Sequence, residues 1–337
     1  MQTVATPLVW GTFALLVVAA LVIDLALMGR RGERAVDVKT AVAWSVAWIA
    51  LAAAFGAGLW LWLDGAAGRE IANEKAAEYF TGYLIEKSLS VDNIFVFLML
   101  FTYFAVPPER QRRVLAYGVI GAVVLRIVMI LIGAWLISRF HGILYVFGAF
   151  LLATGIKMIV FADEKPDLAA NPVLRWMRGR LSLTDGFEGE RFWVVRDGRR
   201  WYTPLFLVLV LIGVTDVVFA VDSIPAIFAI TEDPFIVMAA NVFAVLGLRA
   251  LYFVVADLAH RFHYLSYGLG AILVFVGTKM LVAGFWKVPV GVSLGVVGAI
   301  LAGAKRGATL EALIYAITHD EGIVKVSGEA GSGKTML

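Results

Sequence analysis

The 337-residue chain has no cysteine, only four histidines, and charge on just 16% of its residues. The first absence removes disulfides, thiolate metal sites and thiol redox chemistry together. The histidines (His141, His260, His263, His319) all lie outside the middles of the apolar runs, so any metal ion falls to oxygen ligands. The scarcity of charge excludes an ordinary soluble domain, in which about 25% of residues are charged. A hydrophobic content of 61% excludes a disordered chain. A net charge of +3 gives no reason to expect nucleic acid as a partner; Lys and Arg report instead on which loops face the cytoplasm.

What is present is a series of apolar runs of about 18–25 residues, each long enough to cross a ~30 Å hydrocarbon core. They predict an all-α polytopic membrane protein of nine spans, roughly 8–28, 40–63, 77–104, 114–138, 142–161, 204–231, 235–257, 264–285 and 288–304. The first is no signal peptide: it lacks a basic leader and is followed by Arg30-Arg31. With the N-terminus outside, the inside loops carry eighteen Lys and Arg and the outside loops four, which favours N-outside, C-inside in the inner (plasma) membrane. Loop 162–203 holds one local signal, Asp197-Gly198 between β-favouring residues, which predicts a hairpin from Arg191 to Tyr202. A folded linker is the plainer reading of it, a cytoplasmic gate or partner surface the functional one.

Two segments repeat. Ser90-Val91-Asp92-Asn93-Ile94 matches Ala220-Val221-Asp222-Ser223-Ile224, and each has a carboxylate six residues earlier, Glu86 and Asp216, all at an offset of 130. Arg126 matches Arg249 at an offset of 123, and Arg139-Phe140-His141 matches Arg261-Phe262-His263 at 122. Thr154-Gly155-Ile156-Lys157-Met158 resembles Val276-Gly277-Thr278-Lys279-Met280, again at 122. Spans three to five and six to eight are therefore expected to be copies, at about 77–161 and 204–285. Three is an odd number, so the second copy enters the membrane from the other side, an inverted repeat with its site near the midplane.

Glu86, Asp92, Asp216 and Asp222 lie within spans, where an ionisable group costs at least ~2.5–3.5 kcal/mol at the centre and is a functional candidate by default. On a regular helix Glu86, Ser90 and Asn93 share one face, and so do Asp216 and Ser223, while Asp92 and Asp222 sit about 120° away. Local unwinding near Ser88–Asp92 and Ala220–Pro225 would bring all the carboxylates together with freed carbonyls, and Pro225 supplies one reason for it. Carboxylates, an amide and a hydroxyl suit a hard divalent cation, Mg²⁺, Mn²⁺ or Ca²⁺. The candidate metal-path residues are Glu86, Asp92, Asn93, Asp216, Asp222 and Ser223. Arg126 and Arg249 are the candidate charge-balancing residues, and proton-for-metal exchange is reasonable because crowded carboxylates protonate when no cation is present. The plainer reading is that the carboxylates only pair with the two arginines.

Lys157 and Lys279 are expected to snorkel. Asp24 and Asp257 are expected near a boundary, where charge costs little. Lys87 has only a local pairing to offer, and Asn241 no assigned direction. Trp10, Trp60, Trp62 and Trp286 are expected as interfacial anchors.

The segments from Thr81 through Glu86, Asp92 and Asn93 to Phe97, and from Thr215 through Asp216, Asp222, Ser223 and Pro225 to Thr231, resemble the TerC family of integral membrane proteins, closely its Alx-type members. The resemblance covers about residues 8–304. It implies manganese export and metal homeostasis along intramembrane acidic residues, in a family named for tellurium resistance. Gly213 stands where many members carry Glu three residues before the first Asp of the second motif, so one possible ligand is missing. The expectation is a divalent-cation transporter, not an enzyme, with Mn²⁺ as cargo, the lipid bilayer as surroundings and no resident cofactor. The alternatives are a membrane partner that assists metalation or insertion of other proteins, and tellurium-stress resistance without direct transport.

The membrane domain is expected to occupy residues 1–306. Residues 307–337 are expected as a helix (about 308–319), a strand (Gly322–Val326) and Gly328-Glu-Ala-Gly-Ser-Gly333-Lys334-Thr335, a formal phosphate-loop match that resembles the start of an AAA-type ATPase domain. No helix follows to present its N-terminus to phosphate, so a truncated fusion or a gene-boundary error is expected rather than nucleotide binding.

Overall fold

Proline opens five of the helices, where its missing N–H is one of the donors a helix start leaves unpaired in any case. The computed structural model describes residues 3–29, 38–140, 142–160, 171–258, 263–282, 292–300 and 303. Their order is α1 (Pro7–Gly29), α2 (Val38–Ala67), α3 (Arg69–Tyr103), α4 (Pro108–Arg139), α5 (Ile143–Val160), α6 (Pro172–Arg180), β1 (Trp193–Arg196), β2 (Arg199–Tyr202), α7 (Pro204–Phe228), α8 (Pro234–Val245), α9 (Leu248–Leu258) and α10 (His263–Val282). Residues 292–300 are helical as well, and the phosphate-loop-like tail lies outside the described residues.

Among the described residues, five helices are long and apolar enough to cross a bilayer: α1, α2, α4, α5 and α7. α8 and α9 make a sixth span if taken together across their 42° bend. The remaining candidates differ from the nine expected spans for physical reasons. α3 carries Glu86, Lys87 and Asp92 along its length, and the apolar part of α10, Tyr267–Val282, is short. Leu15, Val22, Leu131, Ile132 and Trp135 point outward on α1 and α4, as lipid-facing side chains do.

α3 runs through the middle, against α2, α7, α8 and α9. α8 is its innermost neighbour, buried on every side from Phe235 to Val245. Asp233 caps α8 by accepting from Phe235 N at 2.9 Å, and the same carboxylate accepts from Thr3 Oγ1 (2.9 Å) and Val4 N (2.8 Å). The start of the described chain is thereby tied to the start of α8. α2 reverses into α3 at Gly68, whose φ of +92° only glycine adopts without strain. Arg69 then folds back onto Asp64 at 2.6 Å and over the Trp60 ring.

The 162–203 segment contains the expected hairpin, with Trp193 opposite Tyr202 and Arg196 opposite Arg199. Asp197 and Gly198 both take positive φ, 51° and 73°, the conformation that a two-residue type I′ turn requires. α6 precedes it, capped by Asn171, whose side chain accepts from Val173 N and Leu174 N.

α5 and α10 pack so closely that glycine is obligatory. A Cβ on Gly155 would stand 2.7 Å from the Gly270 carbonyl and from Val274 N; one on Gly277 would stand 2.7 Å from the Gly148 carbonyl and 2.6 Å from Leu152 N. A Cβ on Gly148 would meet Leu281, and one on Gly270 would meet Ile159. Shifting the α5 residues by +122 and the α10 residues by −122 turns this set of contacts into itself. Gly148–Gly277 becomes Gly155–Gly270, Gly155–Val274 becomes Leu152–Gly277, and Gly148–Leu281 becomes Ile159–Gly270. Contacts that exchange in this way are those of two elements related by a two-fold axis.

Candidate ion site

Two carboxylates from helices far apart in sequence meet one guanidinium in the core. Arg126 of α4, Glu86 of α3 and Asp216 of α7 are 1%, 0% and 2% exposed. Arg126 forms ion pairs with Glu86 and, at 3.4 Å, with Asp216 Oδ1. Its Nη1 donates to Asn241 Oδ1 of α8 at 3.0 Å. Burying three charges is tolerable only because they compensate one another, since an isolated buried ion would cost several kcal/mol.

The faces read from the helical spacing hold. Ser90, Asn93 and Ser223 are buried as Glu86 and Asp216 are. Glu86 Oε2, Ser90 Oγ, Asp216 Oδ2, Ser223 Oγ and Asn241 Nδ2 have no hydrogen-bond partner among the described residues. By contrast Ser88 and Thr215 turn back to carbonyls of their own helices, at 2.6 and 2.9 Å. Unsatisfied buried oxygens of this kind are costly, and a bound cation would satisfy several at once.

Other expectations are corrected. α3 and α7 are continuous through Ser88–Asp92 and Ala220–Pro225, so neither unwinds there. Asp222 therefore keeps its own face of α7, half-buried beside Thr154 and Lys157 of α5, apart from Asp216. The side chain of Asp92 lies outside the described residues. Among the described residues, no three Asp, Glu or His side chains converge as a ready-made metal cage.

The break occurs instead between α8 and α9, at Leu246-Gly247, where Gly247 takes a φ of +80° and its Cα faces the Trp48 ring. A Cβ there would stand 2.6 Å from that ring. Carbonyls at the end of α8 lose their intrahelical donors, and Lys87 Nζ donates to one of them, Ala244 O, at 3.1 Å. Asn241 thus belongs to the central cluster and Lys87 holds the end of α8, although no repeat motif contains them. The signal available for them was a lone glycine and a lone amide inside an apolar span.

Arg249, the counterpart of Arg126, is not at the centre. It pairs with Asp24 of α1 at 3.0 Å, and both are buried. Asp24 is thus a paired core residue rather than a cheap boundary charge. The side chain of Asp257 lies outside the described residues. Lys157 is exposed, whereas Lys279 donates to Ser293 Oγ at 3.1 Å. At the opposite end from Asp24, a cavity of about 410 Å³ is lined by Glu74, Glu78, Thr231, Glu232 and Lys279 among others. Glu78 there accepts from Lys75 and from Thr231, at 2.8 and 2.6 Å. Glu78 and Glu86 are eight residues apart on α3, about 12 Å along the axis.

Residues 71–310 match the model of the integral membrane protein TerC family. A protein of Escherichia coli (strain K12), provisionally named membrane-bound redox modulator Alx, is 55% identical over 301 residues, 89% of this chain and 94% of its own. One of the same name in Salmonella typhi matches to the same extent, 55% over 301 residues. An uncharacterized membrane protein of Myxococcus xanthus, STKORF319, is 43% identical over 324 residues, 96% of this chain and 98% of its own. No solved structure gives a significant match.

Proposed function

The chain belongs to the TerC family of integral membrane proteins, and from that premise we propose that it carries a hard divalent cation across the membrane, with Mn²⁺ as the ion exported from the cytoplasm. The observation that carries this reading is the pair Glu86 and Asp216, at equivalent places in two sequence copies, buried against a single arginine with hydroxyl and carboxylate oxygens left over. Oxygen donors of this kind select Mn²⁺, Mg²⁺ or Ca²⁺ over soft metals. Asp92, Asn93, Asp222 and Ser223 extend the path along the same two helices.

In this reading the two copies form an inverted repeat, and the self-exchanging contacts of α5 and α10 support it. Nine spans, with the N-terminus outside the inner membrane and the C-terminus in the cytoplasm, complete the topology. Protons move in exchange, carried on carboxylates that the metal ion vacates. The relatives' naming as redox modulators is compatible with this activity through metal supply, because a chain without cysteine has no thiol of its own to offer.

The test is flux. Purified protein in liposomes should take up Mn²⁺ in response to a pH gradient, and Glu86→Gln and Asp216→Asn should each reduce uptake at least tenfold. Equal uptake by wild type and both variants would reject transport and leave the alternative, a membrane partner that assists metalation or insertion of other proteins.

A further inference from the structure

The two arginines at matched positions of the two copies stand in opposite situations. Arg126 holds the carboxylates of both copies, Glu86 from the first and Asp216 from the second. Arg249 holds neither, and is paired with Asp24 through the carboxylate at 3.0 Å and through the backbone carbonyl. Asp24 lies on α1, which belongs to neither copy, so the first copy has no counterpart of it.

The backbone differs in the same sense. Leu125-Arg126 lies within the continuous α4, whereas Leu248-Arg249 begins α9 directly after the 42° bend at Gly247. The residue matched to Gly247 is Val124, in the middle of α4. Both guanidiniums are buried, and in each the Nε has no hydrogen-bond partner among the described residues. Neither is held by every donor it has. Between α5 and α10, meanwhile, the glycine contacts named above exchange into one another. One part of the molecule is thus symmetric and another is not. In transporters built from inverted repeats, alternating access is largely the rocking of one repeat against the other around a fixed site, so two copies in different arrangements point to a second arrangement with their roles exchanged.

We infer that Arg126 and Arg249 take turns at Glu86 and Asp216, and that Asp24 is the resting place of Arg249. The inference rests on the transport reading above and adds the device that would drive it. Each guanidinium is a tethered cation competing with the metal ion for the same oxygens. Departure of Arg126 admits the ion, and arrival of Arg249 expels it. Gly247, two residues before Arg249, supplies the pivot. Asp24 acts by positioning Arg249 and does not touch the ion itself.

Because the chain has no cysteine, spin labels can be placed at Val128→Cys on α4 and Phe253→Cys on α9 without background. Wild type should give two label–label distances, and Asp24→Asn should move the balance between them by severalfold. In Mn²⁺ binding to the purified protein, Asp24→Asn should weaken affinity severalfold, because an unparked Arg249 competes at the centre. Adding Arg249→Gln to Asp24→Asn should restore affinity. An ion pair that served stability alone would instead leave the double variant no better than either single one, and that result overturns the inference. So does one distance, unmoved by Asp24→Asn. If wild type neither binds nor carries Mn²⁺ but shows two distances that respond to Asp24→Asn, the exchange stands and the transport reading falls.

Discussion

Lys87 donates to the carbonyl oxygen of Ala244, the penultimate residue of α8, at 3.1 Å. A positive charge at the carboxyl end of a helix also meets the negative end of its dipole. Lys87→Met should leave that carbonyl without its donor at the cost of about 1–3 kcal/mol. Lys87→Arg, which keeps charge and donors, should lose less. Thermal unfolding in detergent compares them, and a Met variant as stable as wild type would show that Lys87 does not hold α8.

Glycine at position 155 faces backbone rather than a yielding side chain. Gly155→Ala should therefore destabilise by about 1–3 kcal/mol, the range for overpacking. Gly277→Ala should cost a similar amount, since its contacts are the exchanged images of those at Gly155. Gly121 of α4 has nothing within 4 Å of its Cβ position. Alanine there should be neutral or stabilising by up to about 1 kcal/mol. Unfolding midpoints of the three variants decide the matter: the same neutral or stabilising change at 155 as at 121 would mean that helix propensity, not packing, governs position 155.

Removing Arg126 leaves Glu86 and Asp216 buried without their cation. Arg126→Gln should cost about 3–5 kcal/mol, as breaking a buried ion pair from one side does. Combining it with Glu86→Gln should recover part of that loss, because one uncompensated charge is gone. A double-mutant cycle on denaturant midpoints reads the coupling, and strict additivity would contradict the pairing described here.

Asp233 both caps α8 and holds Thr3 and Val4. Asp233→Ala should lose about 1–2 kcal/mol, the upper part of the range for a cap. Amide exchange should quicken at Val4 and Phe235 together; quickening at Phe235 alone would show that the N-terminal segment is held by something else.

Much of this was legible in the sequence because charge in an apolar span is rare and cannot be placed idly. Glu86, Asp216 and Arg126 stand out for that reason, and they do converge. Gly155 and its match Gly277 were visible in the repeat of Thr154–Met158 at Val276–Met280, although not what they touch. Three features escaped. Pro225 suggested a break, yet α7 accommodates it, while the break that exists is at Gly247, where a Cβ would strike Trp48 of a distant helix. Spacing along one helix cannot show that neighbour. Asn241 and Lys87 gained their roles from α8 lying against α3 and α4, which is tertiary information. Arg249 looked equivalent to Arg126 because the two are matched in the repeat, and the position of α1 and the bend at Gly247 separate them.

The self-exchanging contact of α5 with α10 bears on how such a chain could originate. Gly148–Gly277, Gly155–Val274 and Gly148–Leu281 are each made twice, once by each copy against the other's counterpart. A half-length ancestor that inserted in the membrane in both orientations would have met itself through this same surface, as a dual-topology homodimer. In such a history gene fusion would have needed no new interface, only a connecting segment, and would have left the two halves free to diverge. Arg249, engaged by Asp24 of a helix outside the two copies, is one place where they differ.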